Sequence, residues 1–188
     1  MAEHTQQLIE LRRLTAEDAE PTTRFLQNLP EGDLTFLKEP ADDDTVNRWI
    51  ADDRTYQWIA VGEDGELQAM LSIFPGALWS SHVAELRLVV GDPFRRRGLG
   101  RRLARHGLAE ALRLGLRKVM VEVVADKEGD IAMFEAIGFE AEALLRDQIC
   151  DRDGNVHDLV LLSHEVETGA SALEALGLAG EVGLGEGQ

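Results

Sequence analysis

Val89-Val90-Gly91-Asp92-Pro93-Phe94-Arg95-Arg96-Arg97-Gly98-Leu99-Gly100-Arg101-Arg102-Leu103 is the stretch on which the reading of this chain turns. It begins in an apolar run and turns at Pro93. It then passes two glycines and becomes a basic, amphipathic segment. A helix start offers several free N–H groups and about half a positive charge. Glycines beside it let an anion approach the backbone closely. The spacing Arg95-x-x-Gly98-x-Gly100 is weak alone and gains weight from a strand before it and a helix after it. Two other phosphate motifs are excluded. No Gly-x-x-x-x-Gly-Lys-Ser/Thr occurs, and the third glycine of a dinucleotide fingerprint is replaced by Leu103.

Working outward, the periodicity predicts a mixed α/β domain. Upstream of the loop, strands are expected at Leu8–Leu14, Tyr56–Val61, Leu67–Phe74 and His82–Val90. A capping box at Thr15 and Asp18 opens a helix to about Asn28, and Asp42–Asp53 forms a second. The turn Gly62–Glu66 marks a hairpin. Downstream, Leu99, Leu103, Ala104, Leu108, Ala111 and Leu112 recur at helical spacing until Gly115. A strand Val119–Val124, a short helix Asp130–Ile137 closed by Gly138, and strands Glu140–Cys150 and Val156–His164 around the turn Asp151–Asn155 complete the order. The expected fold is an antiparallel meander followed by one β-α-β crossover, a single mixed sheet with helices on both faces. Residues 1–168 form the domain. Residues 169–188, with six glycines, are expected as a flexible tail.

The 188 residues are 44% hydrophobic and 29% charged, enough for one full core. No apolar run can cross a bilayer, the N-terminus lacks a secretory pattern, and the single Cys150 excludes an internal disulfide. A cytoplasmic protein is expected. The formal net charge is −16. Residues 95–118 hold nine of the nineteen Lys+Arg against one acid, Glu110, so they carry +8 and the rest −24, the difference between −16 and +8. A basic patch on an acidic body suits a compact polyanion and argues against nucleic acid.

Val90-x-x-Pro93-Phe94-Arg95-Arg96-Arg97-Gly98-Leu99-Gly100 resembles the acyl-coenzyme A pyrophosphate loop of the GNAT superfamily of N-acetyltransferases. Phe134-Glu135-Ala136-Ile137-Gly138-Phe139 resembles that family's second signature, in the right order and at about the right spacing. The resemblance spans roughly residues 7–165. It implies that acetyl-coenzyme A is the co-substrate, with its pyrophosphate on the backbone N–H groups of Arg95, Arg96, Arg97, Gly98, Leu99 and Gly100, together with Arg101. It further implies that Leu88, Val89 and Val90 lend strand groups to the pantetheine arm and thioester, that this strand splays from Val119–Val124, and that Phe134 lies beside the cofactor. The implied reaction is direct transfer of an acetyl group to an amine, small or peptidic and favoured as cationic by the acidic body. A base must take the amine proton. Glu85 is the first choice, where the histone acetyltransferase branch has its glutamate, and Glu122 the second; for both, a plain outward-facing strand acid is the competing reading.

The family's usual tyrosine acid is replaced by Phe134 and its usual asparagine by Lys127, so the general acid stays unassigned. Two rivals are carried: a non-catalytic acyl-coenzyme A-binding or sensing domain, supported by the missing tyrosine, and a nucleic-acid or partner-binding module using the arginine patch, opposed by the charge. Cys150 is weighed as a nucleophile, against which ordinary packing is preferred. Asp158 is read as a hydrogen-bonding residue, and Trp49, Trp58 and Trp79 as core or cleft-rim residues. No metal spacing is present among the five histidines. The loops 29–40, 76–81 and 151–155 are expected to shape the acceptor site. A homodimer is compatible with this reading.

Overall fold

A computed structural model describes residues 9–34 and 37–166. The tail expected from Gly169 lies outside the described residues. Seven strands form one sheet: β1 (Glu10–Arg13), β2 (Tyr56–Val61), β3 (Leu67–Pro75), β4 (Val83–Val90), β5 (Lys118–Val124), β6 (Glu140–Cys150) and β7 (Val156–Glu165). Their spatial order is β1-β2-β3-β4-β5-β7-β6. Each neighbouring pair is antiparallel except β4 and β5, which the crossover makes parallel. The expected meander and single crossover are therefore present. Among the described residues no helix is long and apolar enough to cross a membrane.

Both faces of the sheet are covered. On one lie α1 (Ala19–Gln27) and α3 (Asp43–Ala51), packed through Leu26, Leu29 and Val46 with Trp49 and Val89. The other carries α4 (Leu99–Arg113) and α5 (Glu128–Glu135), which close the larger core on Leu71, Ile73, Leu86, Val119 and Val121. Leucines and alanines of α4 face the sheet while Arg101, Arg102, Arg105 and Arg113 are exposed, as the spacing predicts. The helix approaches closely at Gly107, where an added Cβ would stand 2.3 Å from Leu86 Cδ1. β3 is buried on both faces, which explains why apolar residues occupy both of them, with Gln68 and Ser72 as buried polar exceptions.

The capping box opens a short 3₁₀ turn and then α1. Asp18 accepts from the Thr15 backbone (2.9 Å) and hydroxyl (2.7 Å), and from both Arg12 guanidinium nitrogens at 2.7 Å. Asp42 caps α3 by accepting from Thr45 N at 2.8 Å. One helix was not expected: α2 (Glu31–Leu34) lies within the segment read as a loop. Its four residues carry no apolar period long enough to register as a helix.

Candidate active site

The parallel pairing of β4 and β5 is short. It holds at Val83–Lys118, Ala84–Val119 and Glu85–Met120, then stops. β4 stays paired with β3 from Ala84 to Val90, and β5 with β7 from Lys118 to Val124. Beyond Glu85 and Met120 the two halves of the sheet therefore diverge as a wedge.

The register decides which backbone groups face this wedge. Gly91 N donates to Gln68 O, and Gly76 N to Val83 O. With the two-residue alternation of an antiparallel ladder, Glu85, Arg87 and Val89 direct their N–H and C=O groups to β3. Leu86, Leu88 and Val90 direct theirs toward β5. Val89 thus departs from the expectation for it: its backbone belongs to the β3 ladder, and its side chain packs on the α1/α3 face. The Val90 carbonyl accepts from Arg95 Nε at 2.9 Å, while the Leu88 N–H faces the opening.

At the wide end, Gly98 caps α4 in the left-handed region, φ 82°, with Arg96 at φ 59° before it. Arg96, Arg97 and Gly98 are exposed, and among the described residues no backbone carbonyl accepts from their N–H groups. With the unpaired first N–H groups of α4, the loop presents a run of donors suited to a phosphate. A Cβ on Gly100 would reach Val90 and Leu88 side chains at 3.7 and 3.9 Å, so the helix start lies directly against the wedge strand. The Arg95 side chain ties down the protein itself: besides Val90 O it pairs with Asp33, which Lys127 also approaches at 3.7 Å. Arg101 donates to Ala136 O at 3.2 Å. Phe134 is buried in the larger core, edge-on to Phe139 at 5.2 Å, and offers no proton to a leaving thiolate.

At the narrow end the two acids expected as bases meet one cation. Glu85 and Glu122 point to the α1/α3 face, and Lys38 Nζ lies 2.6 Å from Glu85 Oε1 and 2.7 Å from Glu122 Oε2. Glu85 also holds Arg87 by two bonds, 2.8 and 2.9 Å. Arg87 stacks over Phe74 and reaches Glu39 at 3.3 Å, and Glu39 accepts from Arg48 and Trp49. Burial by itself would raise the Glu85 carboxyl, but hydrogen bonds from Arg87 and Lys38 outweigh it and hold the carboxyl below its ordinary value. Among the described residues Lys38 is the one cation in ion-pair reach of Glu122.

A cavity of about 450 Å³ opens beside Lys38, walled by Leu34, by Leu37–Ala41 and by Cys150–Arg152. Two of the three loops expected at the acceptor site therefore meet. The hairpin wall is stiff: Asp151 accepts from Asp153 N, Asn155 N and the Asn155 side chain, and with His157 these bonds bring its carboxyl to about 2. Arg152 approaches Glu31 of α2 at 3.5 Å. The third loop stands apart, with Leu78 and Trp79 almost fully exposed. Trp58 is core and Trp49 lines the α1/α3 side.

Cys150 corrects the packing reading. It is exposed, since β6 is an edge strand bonded on one side only. Asp158 does act as a hydrogen-bonding residue: its Oδ1 accepts from Asp147 N at 2.9 Å across an irregularity in the β6–β7 ladder. Sequence reading missed Lys38 and Arg87. Arg87 carried a usable signal, two places from Glu85 on the same strand face, whereas nothing local marks Lys38.

Comparison with known proteins agrees with this architecture. The family model described as "Acetyltransferase (GNAT) family" matches residues 23–139. YwnH of Bacillus subtilis (strain 168), provisionally named a phosphinothricin acetyltransferase, is 30% identical over 111 residues, 58% of this chain and 68% of that protein. The spermidine N-acetyltransferase of Vibrio cholerae, solved with CoA and spermine, superposes with a TM-score of 0.72 at 16% identity, covering 84% of this chain and 95% of that one. The ribosomal-protein-S18-alanine N-acetyltransferase of Escherichia coli gives 0.69 at 20% identity, over 86% and 96% of the two chains. The splayed strands, the free N–H groups at the start of α4 and the family match over most of the domain lead to one conclusion: the chain belongs to the GNAT acetyltransferase family and is an acyl-CoA-dependent N-acetyltransferase.

Proposed function

We propose that the chain transfers the acetyl group of acetyl-CoA to the amine of a cationic acceptor, held at the narrow end of the wedge by Glu85 and Glu122. One observation carries the reading: two carboxylates from different strands close on a single ammonium, that of Lys38, at 2.6 and 2.7 Å. A pair of acids that grips one ammonium can grip another.

The residues present fit the co-substrate. The exposed N–H groups from Arg96 to Gly98 and the start of α4 would hold the pyrophosphate, with the exposed arginines of α4 attracting it. Bound acetyl-CoA supplies an activated acyl group on a thioester. The Leu88 N–H is directed to receive the charge that develops on the thioester oxygen, a large contribution to acyl transfer. Glu122, whose one ion-pair partner among the described residues is Lys38, is assigned the amine proton. Glu85, anchored by Arg87 and held below its ordinary value, orients the ammonium. No side chain is needed to protonate the leaving thiolate, because a thiol of ordinary pKa about 8.5 can take its proton from water.

The test is acetyl-CoA turnover over amino acids, polyamines, aminoglycosides and lysine-containing peptides. Polyamines earn their place from charge, and from the fold shared with a protein solved with spermine. Turnover of cationic amines well above neutral ones is the expected result. A preference for acceptors without a positive charge near the reacting nitrogen would overturn the reading.

A further inference from the structure

We infer that Lys38 is itself an acceptor: the enzyme acetylates its own Lys38 when acetyl-CoA is present and no external amine competes. The inference rests on the acceptor site just proposed. Its basis is position. Glu85 is the last residue of β4 paired with β5, whereas Glu122 lies two residues past Met120, where β5 has already diverged. Lys38 Nζ bridges the two, so it spans the apex of the wedge on the acceptor side. It occupies the place assigned to the acceptor's ammonium, and it is a primary amine of the kind this family acetylates.

Neither burial nor an alternative duty removes it from reaction. The Lys38 side chain is 37% exposed and borders the 450 Å³ cavity, so its nitrogen has room to move. Its two partners are half-buried, Glu85 at 23% and Glu122 at 29% exposure, and both are carboxylates that the proposed reaction itself uses. Of the eighteen other lysines and arginines, sixteen are arginines and the remaining two are Lys118 and Lys127. Arginine stays protonated and cannot serve as an acceptor near neutral pH. The chain thus presents three lysines, one of them at the site.

The step balances. The Lys38 ammonium gives one proton to Glu122, and the freed nitrogen lone pair bonds to the carbonyl carbon of the thioester. The carbon–sulfur bond breaks and its electron pair leaves on sulfur. The nitrogen then loses a second proton. The products are Nε-acetylated Lys38, the CoA thiol and one proton released to solvent. The modification removes the positive charge that occupies the Glu85–Glu122 pair.

The test incubates the full chain with acetyl-CoA labelled in its acetyl group, without added amine, and maps the label by peptide mass spectrometry. A thermal shift on the same sample reports cofactor binding. Because the nitrogen is already held at the site, Lys38 should be labelled at least about tenfold faster than Lys118 or Lys127. The rate per molecule should not depend on protein concentration, and Lys38→Arg should remove the label. Labelling that persists unchanged in Gly98→Glu would mean chemical acetylation outside the site and overturns the inference. A chain that shows the thermal shift but labels Lys38 no faster than the other two lysines overturns it as well, leaving the proposed function standing. A chain with no thermal shift overturns both.

Discussion

The two ends of the wedge are built by different means. At the wide end, residues 96–101 present backbone N–H groups and a helix start, all from one continuous stretch. At the narrow end, Glu85 on β4 meets a lysine 47 residues earlier in the chain and, through it, Glu122 on β5. Backbone donors tolerate changes of side chain that leave the backbone in place. A cluster of side chains depends on each member and on the sheet that brings them together. Damage to the first end should therefore appear in cofactor binding and damage to the second in turnover, with little crossing.

Gly98→Glu should have the largest effect, loss of the thermal stabilisation by acetyl-CoA, because a carboxylate would stand at the proposed pyrophosphate site. No atom lies within 4 Å of a Cβ built on Gly98, so the cost to the free protein is backbone strain at φ +82°, about 1–2 kcal/mol. Gly98→Ala carries that strain without the charge and should keep much of the cofactor response. If the alanine variant loses it as fully as the glutamate, shape rather than charge governs this end.

Glu122→Gln should lower kcat by about a hundredfold, the low end for a positioned base, and leave the cofactor thermal shift intact. Steady-state kinetics with the best amine of the panel measures it. Glu85→Gln should act less on kcat, by about tenfold or under, and more on the acceptor's KM, since Arg87 already draws on its charge. The reverse ranking would make Glu85 the base. Either variant abolishing the thermal shift would show that the two ends are not separable.

Asp18 supplies a control far from both ends. The Arg12 guanidinium and Thr15 hold its carboxyl at about 2, down from 3.8. A depressed acid contributes stability that is present above its unfolded value, about 4, and is lost as pH falls through the folded one. Asp18→Asn should therefore cost about 1–2 kcal/mol near neutral pH, allowing for the exposure of Arg12, with kcat unchanged. The gap from wild type should close between about pH 4 and pH 2 in chemical-denaturation titrations.

Much of the fold was legible because its cues are local. Apolar runs around the Gly62–Glu66 turn marked β2 and β3, alternation marked β4, the Thr15–Asp18 box and Asp42 marked helix starts, and Gly115 and Gly138 marked helix ends, both with positive φ. α2 was missed because four residues give no period. Cys150 was misread because an apolar-looking strand end does not reveal that its strand is the sheet's edge. Val89 needed the ladder's phase, which single-strand alternation leaves open.

The amino-acid order by itself determined the loop from Gly91 to Gly100, since its chemistry resides in consecutive backbone groups and in glycines that permit their geometry. It also determined the strand and helix order, because burial imposes a repeat that can be read along the chain. Only the tertiary structure decided that β4 and β5 part after Glu85 and Met120, and that Lys38 comes to lie between Glu85 and Glu122. The physical reason is that an ion pair is fixed by distance in space. No periodicity links residues 38, 85 and 122, and packing both faces of one sheet is what makes them neighbours.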